Sequence, residues 1–224
     1  MSTKTELQQL SSKSKSSILA KLKAQVSGAD YSKLPVEMAY EYPELSHQQQ
    51  LELFTNNLTA NHAQVINTSK ESIERIVAEE LSKRNLNKIL IGTNSEYKDG
   101  LSAQLEVQEY DFDLQQNKPY LFNEVAASLS TSLCSIAQTG TIVLWPDENE
   151  PRTLSLVPPV HFVIVDAQKL YPSFSDVLVK QKWQQNMPTN IVFISGPSKT
   201  ADIQQTLAYG AHGPKELVVL LINV

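Results

Sequence analysis

"AQVINTSKESIERIVAEELSKRNLNKILIG", residues 63–92, carries the alternation that decides the fold. "AQVINT" (63–68) reads as a strand, short and rich in β-branched and apolar side chains. "SKESIERIVAEELSKRN" (69–85) follows as a helix, opened by Ser69 with Ser72 and Glu74 in its first turns. "KILIG" (88–92) is the next strand, apolar enough to be buried on both faces.

The same pattern extends outward. Upstream, Ser46 stands as an N-cap before "HQQQLELFTNNL", in which Leu51, Phe54 and Leu58 share one helix face. Downstream, "LEVQEY" (105–110), "GTIVLW" (140–145), "HFVIVD" (161–166), "NIVFIS" (190–195) and "ELVVLLIN" (216–223) read as strands. "PSFSDVLVKQKWQQN" (172–186) reads as an amphipathic helix with Pro172 near its start, and residues 198–208 as another helix; "VAASLSTSLCSIA" (125–137) fits either state. Apolar strands separated by helices of roughly ten to fifteen residues imply an α/β protein with a mainly parallel open sheet covered on both faces. Ligands in such sheets bind outside the carboxyl ends of the strands.

Residues 1–45 do not share the pattern. A Ser-, Lys- and Gln-rich start leads into "ILAKLKAQV", where Ile18, Leu19, Leu22 and Val26 fall at helical spacing, and residues 28–45 read as an extended connector. The expected organisation is an amphipathic arm and connector over 1–45 and one α/β domain over 46–224, the arm docking on its own domain or on a sister subunit of a homo-oligomer.

Composition narrows the function classes. Of 224 residues, 41% are hydrophobic and 19% charged, as in a packed globular protein, and the net charge of −5 provides no broad basic surface for nucleic acid. Cys134 is the sole cysteine, so this chain alone builds no disulfide, iron–sulfur cluster or four-cysteine zinc site; flanked by small and apolar residues, it reads as a buried hydrophobe. The four histidines are scattered, with no metal-ligand spacing, and no metal or intrinsic cofactor is expected. No run approaches the roughly eighteen apolar residues of a membrane span, and the expected location is the cytoplasm.

Three corners hold the chemistry. In "SGPSKTAD", Gly196 turns the chain and Ser198 caps the helix expected to follow, so free N–H groups and Lys199, Thr200 and Asp202 surround an anion-sized space. The competing reading is an ordinary capping box with Lys199 in solvent. In "GAHGP", His212 beside Gly213 can donate to an anion or satisfy a loop carbonyl. In "AQTGTIVL", Thr139 and Thr141 straddle Gly140 at a strand start. Arg152 is expected to form a surface salt bridge with the acidic run Asp147, Glu148, Glu150, its planar fork being otherwise suited to clamp a carboxylate or phosphate, and His161 at the head of a strand reads as structural. No catalytic residue is named by these patterns.

Taken together, "AQTGTIVL", "PRTLSLVPPVHFVIV", "SGPSKTADIQQTL" and "GAHGPKELVVLLI" resemble the lactate-utilization protein C family, the LUD-domain proteins, over about residues 46–224. The resemblance implies a three-layer α/β/α sandwich of the NagB/RpiA/CoA-transferase type. It also implies a role in oxidising L-lactate to pyruvate beside redox partner proteins that carry the iron–sulfur clusters. One position departs: the family pattern has an acidic residue ahead of Thr-Gly-Thr, where this chain has Gln138, which hydrogen-bonds but does not ionise. The expected ligand site is therefore Gln138, Thr139, Gly140, Thr141, Gly196, Ser198, Lys199, Thr200, Asp202, His212 and Gly213, holding a small anionic metabolite in a non-redox subunit. Two other classes compete: a stand-alone enzyme on a CoA, folate or sugar-phosphate substrate, and a structural scaffold for iron–sulfur partners.

Overall fold

The computed structural model describes residues 4–26, 28, 44–185, 187–201, 207–209 and 212–223. The chain divides into two units, residues 1–43 and 44–224. In the first, helix α1 (Lys4–Gln25) takes in the lysine-rich start as well as Ile18, Leu19 and Leu22. The connector expected over 28–45 falls almost wholly outside the described residues.

The second unit opens with α2 (His47–Ala60), held at its start by a full capping box: the Ser46 hydroxyl accepts from the Gln49 N–H, and the Gln49 side chain accepts from the Ser46 N–H. Then come β1 (Gln64–Thr68), α3 (Ile73–Lys83), β2 (Lys88–Ile91), α4 (Lys98–Ser102), β3 (Glu106–Glu109), α5 (Leu114–Asn123), β4 (Ala127–Thr131), β5 (Cys134–Ile136), β6 (Thr141–Leu144) and α6 (Arg152–Leu156). They are followed by β7 (Val160–Asp166), β8 (Leu170–Tyr171), α7 (Phe174–Lys180), β9 (Val192–Ile194), β10 (Lys199–Ala201), β11 (Leu207–Tyr209) and β12 (Glu216–Ile222).

Six strands form one sheet in the order β1-β12-β7-β4-β2-β3, every pair parallel. Alternation along β7 and β12 sends Phe162, Ile164, Val218 and Leu220 to one face, where Ile73, Val77 and Leu81 of α3 and Leu101 of α4 cover them. Val163, Val165, Leu217, Val219 and Leu221 face the other layer, packed by Leu51, Phe54 and Leu58 of α2 and by Ala137, Ile142 and Leu144. Toward the β2 end, Leu121 of α5 and Leu154 of α6 close over Leu90. Full burial of such side chains contributes roughly 1.5–3 kcal/mol each, and the three-layer α/β sandwich follows from two such faces on one parallel sheet.

Three expectations are corrected. Residues 140–145 and 190–195 contain strands, but these belong to a second sheet, β8-β5-β6-β9, in which β5–β6 and β6–β9 are antiparallel. The few residues between β5 and β6 are too short for a parallel crossover, so a hairpin is the available geometry. The ambiguous run 125–137 supplies β4 and β5, one to each sheet. Residues 172–186 are α-helical only over Phe174–Lys180, capped by Ser173 directly after Pro172, and turn through Lys182 at φ +51 into a short 3-10 helix, Trp183–Gln185.

The helix expected over 198–208 is replaced by the antiparallel pair β10–β11; Asp202 lies outside the described residues. The Ser198 N–H donates to the Pro214 carbonyl at 2.8 Å, so the chain must leave and return at one place. An eleven-residue helix would carry its end about 16 Å away, whereas a hairpin brings both ends back together. Ser198 is thus a corner residue and caps no helix.

Candidate functional site

Two of the three corners foreseen in the sequence meet through hydroxyls. Thr141 Oγ1 lies 2.6 Å from Thr139 Oγ1 and 2.7 Å from Ser195 Oγ. The end of α2 fastens them: the Asn57 amide donates to the Gln138 carbonyl at 3.0 Å, and Lys199 Nζ donates to Asn61 Oδ1 at 3.3 Å. Gly140 has φ +58, and a Cβ there would sit 2.5 Å from Asn57 Cβ, so both its conformation and its neighbour demand glycine. Gly196 lies against the Asn61 carbonyl in the same way. Asn57 and Asn61 were not foreseen; their signal is a pair of amides one turn apart at a helix end.

The third corner joins these residues across a different contact. Gly213 packs on Ser198, and His212 is exposed beside it. Ser195, Gly196, Ser198, His212 and Gly213 border a pocket of about 160 Å³. Its floor holds His161 and Leu217, each the second residue of its strand. The pocket therefore sits at the amino ends of β7 and β12, opposite the end where open sheets place their ligands. Gln138 and Thr139 are exposed outside it, and the Thr200 side chain is not among those described.

The carboxyl ends hold a larger cavity, of about 720 Å³. Strands β2 and β4 are neighbours, yet β2 leads into α4 on one face and β4 leads into the second sheet on the other. Connections that diverge from adjacent parallel strands leave a crevice between them. The loop Asp147–Glu150 seats itself beside the crevice. Asp147 Oδ1 accepts from the backbone N–H groups of Asn149 and Glu150, both at 2.8 Å. Asn149 accepts from Thr93 twice, carbonyl from N–H at 3.0 Å and Oδ1 from hydroxyl at 2.9 Å. Glu150 accepts from the Thr131 N–H at 2.9 Å and hydroxyl at 3.0 Å. Gly92 makes room for this: a Cβ there would lie 2.6 Å from Glu150 Cγ and 2.8 Å from the Asn149 carbonyl.

Trp145, Trp183 and Tyr97 supply aromatic wall, the two indoles 5.6 Å apart between centroids. Glu96, Asp147 and Glu150 face the cavity against one ammonium, Lys169. Burial, aided by the nearby Asp147 charge, raises the Glu150 carboxyl above its ordinary range against the pull of the Thr131 donors. Burial and Glu96 push the Tyr97 phenol up to about 12, so it remains a neutral donor at pH 7. The acidic run therefore serves as cavity wall, and Glu150 bonds Thr131 where a pairing with Arg152 was expected. Among the described residues, no group of three or more His, Cys, Asp or Glu is placed to hold a metal, and no helix is long and apolar enough to cross a membrane. Cys134 is buried, and burial pushes its thiol up to about 11.

A parallel open sheet with helices on its faces and a walled crevice at its strand switch defines an open-sheet α/β protein. Residues 51–222 match the family model of the LUD domain, and the chain belongs to the LUD domain family. An uncharacterized protein of Neisseria meningitidis is 49% identical over 121 residues, a match covering 54% of this chain and 52% of that protein, so the chain matches about half the length of that relative. The lactate utilization protein C of Oceanobacillus iheyensis is 22% identical over 210 residues, covering 88% of this chain and 90% of the relative. That of Bacillus subtilis is 23% identical over 207 residues, covering 81% and 86%. The crystal structure of a DUF162 family protein from Deinococcus radiodurans superposes with a TM-score of 0.61 at 18% identity, covering 80% of this chain and all of that one, and shares its fold.

Proposed function

We propose that this protein serves lactate utilization as a component without a redox centre of its own, binding an organic ligand in the crevice between β2 and β4. The relatives named lactate utilization protein C support the setting. With Cys134 as its one cysteine, and that one buried, the chain leaves any iron–sulfur cluster to a partner protein.

The crevice itself carries the reading. Its 720 Å³ lies in the range of sites that enclose drug-sized ligands, well beyond the needs of lactate alone. Glu96 is paired with Lys70 at 2.6 Å, and Asp147 and Glu150 against Lys169 leave an acidic balance that disfavours a small free anion there, whereas two indoles and a phenol suit a planar ring bearing amide or hydroxyl groups. A nucleoside, a folate or the base of a coenzyme has that chemistry.

Both tryptophans of the chain line this cavity, so intrinsic fluorescence reports its occupancy directly. Titration with nucleotides, CoA esters, folates and flavins is expected to give saturable quenching by a ring-bearing compound, with matching heat in calorimetry. No response to any of them, in the presence or absence of lactate, sinks the ligand-binding reading and leaves an assembly role.

A further inference from the structure

The small pocket under the Gly-Pro corners has a buried group that the rest of the protein leaves unused. His161 is fully buried at its floor. Its Nε2 lies 2.7 Å from Ser130 Oγ, and its Nδ1 has no partner among the described residues. A buried polar atom left unsatisfied is costly, and native interiors rarely tolerate one without cause.

The surroundings show why no protein group fills the gap. In register beside His161 stand Leu217, which has no polar atom in its side chain, and Ser128, whose hydroxyl already donates to the Leu154 carbonyl. The face is that of Val163, beneath the second sheet and the corners. Burial depresses the imidazole to about 3, so it is neutral at physiological pH and carries a single N–H. We place that N–H on Nδ1, with the Ser130 hydroxyl donating to Nε2, so that Nδ1 requires an acceptor.

Charge and size define the acceptor. Among the described residues, no carboxylate, lysine or arginine lines this pocket; Ser155, Ser195, Ser198, His161 and His212 supply its polar side chains. The space of 160 Å³ equals about five water volumes, room for about half a dozen non-hydrogen atoms and too small for a nucleotide. Neutral donors without a fixed cation suit a monoanion better than a doubly charged phosphate.

We propose that the pocket binds a short-chain monocarboxylate, its oxygens accepting from His161 Nδ1–H and the Ser198 hydroxyl, with exposed His212 at the mouth. The site lies at the opposite end of the sheet from the crevice and stands independently of what the crevice holds.

Ring-¹⁵N histidine labelling of the full chain tests this. His161→Gln identifies the His161 signals among those of the four imidazoles. Acetate, lactate or pyruvate is expected to shift the His161 Nδ1 resonance saturably, with affinity on the order of millimolar, while inorganic phosphate does not. Ser198→Leu, a replacement at a partly exposed corner, fills the pocket and is expected to abolish the shift. Signals unmoved by all three carboxylates, moved equally in Ser198→Leu, or moved by phosphate instead overturn the proposal. Tryptophan fluorescence reads the crevice separately, so failure of either site is seen on its own.

Discussion

Replacing Gly92 with alanine tests whether the loop Asp147–Glu150 is seated on the end of β2. The new methyl carbon would begin 2.6 Å from Glu150 Cγ and 2.8 Å from the Asn149 carbonyl oxygen. Glu150 can swing its side chain aside, but the carbonyl belongs to the backbone and moves only with the loop. Moving it breaks the two bonds from Thr93, at 3.0 and 2.9 Å, and strains the two from Thr131. Net hydrogen bonds contribute about 1 kcal/mol each, and overpacking costs about 1–3 kcal/mol. The expected destabilisation is about 2–3 kcal/mol, or about 5–10 °C in melting temperature for a domain of this size. Urea unfolding followed by circular dichroism measures it, and crevice affinity in the fluorescence titration is expected to fall alongside. Because the backbone contact decides, adding Glu150→Ala does not rescue the variant, and the coupling in the cycle stays below about 0.5 kcal/mol. A Gly92→Ala protein within about 0.5 kcal/mol of the parent, with unchanged ligand response, refutes the seating of the loop.

Two further outcomes follow from buried groups. Glu80 is buried on α3, and although burial alone would raise its carboxyl, hydrogen bonds from Lys83, Arg84 and Gln64 hold it down at about 2. Against an ordinary 4.5, at about 1.36 kcal/mol per unit, that is roughly 3 kcal/mol, reduced toward 2 because the Lys83 end is exposed and screened. The depressed value means this stability is present above pH 4.5 and lost as pH falls toward 2. Glu80→Gln is expected to be less stable by that amount at pH 7 and to show no matching loss in the acid window; equal urea midpoints at pH 7 count against the network. Cys134, its thiol raised to about 11 by burial, is expected to resist thiolate reagents at pH 8 in the native chain and to react once the chain unfolds. Rapid stoichiometric labelling of the native protein contradicts that.

The parallel sheet was legible because its central strands β7 and β12 are buried on both faces and so are almost wholly apolar. β7 and β12 need no partner information to be recognised, and Ser46 announces α2 through its capping box. The second sheet was harder to read. "TIVL" in β6 is as apolar as "VVLL" in β12, yet the first pairs in a hairpin with β5 and the second lies between parallel neighbours. Apolarity reports burial and is silent on the direction of pairing. The segment after Pro197 failed for another reason. Ser198 and the residues beyond it have the local pattern of a helix start, but the bond from the Ser198 N–H to Pro214 closes the chain on itself, and that tertiary contact overrides the local preference.

The candidate sites divide along the same line. Glycine and proline mark corners, so the stretches around Gly140, Gly196 and Gly213 stood out, and the structure gathers the first two around the end of α2 and sets Gly213 against Ser198. The crevice is assembled from residues near 93, 131, 145–150, 169 and 181–183, each ordinary where it stands in the sequence. What unites them is strand order. β4 lies beside β2, with Ile91 opposite Leu129, and this adjacency alone carries Thr131 to the side of Thr93 and lets one acidic loop bond to both. The acidic run was paired with Arg152 in the sequence because a single chain segment does not reveal which strand ends lie beneath it. His161 reads as structural, and the structure does bury it against Ser130. A histidine at the head of a strand is usually satisfied, and only the register, with leucine on one side and a committed serine on the other, exposes a nitrogen left without a partner.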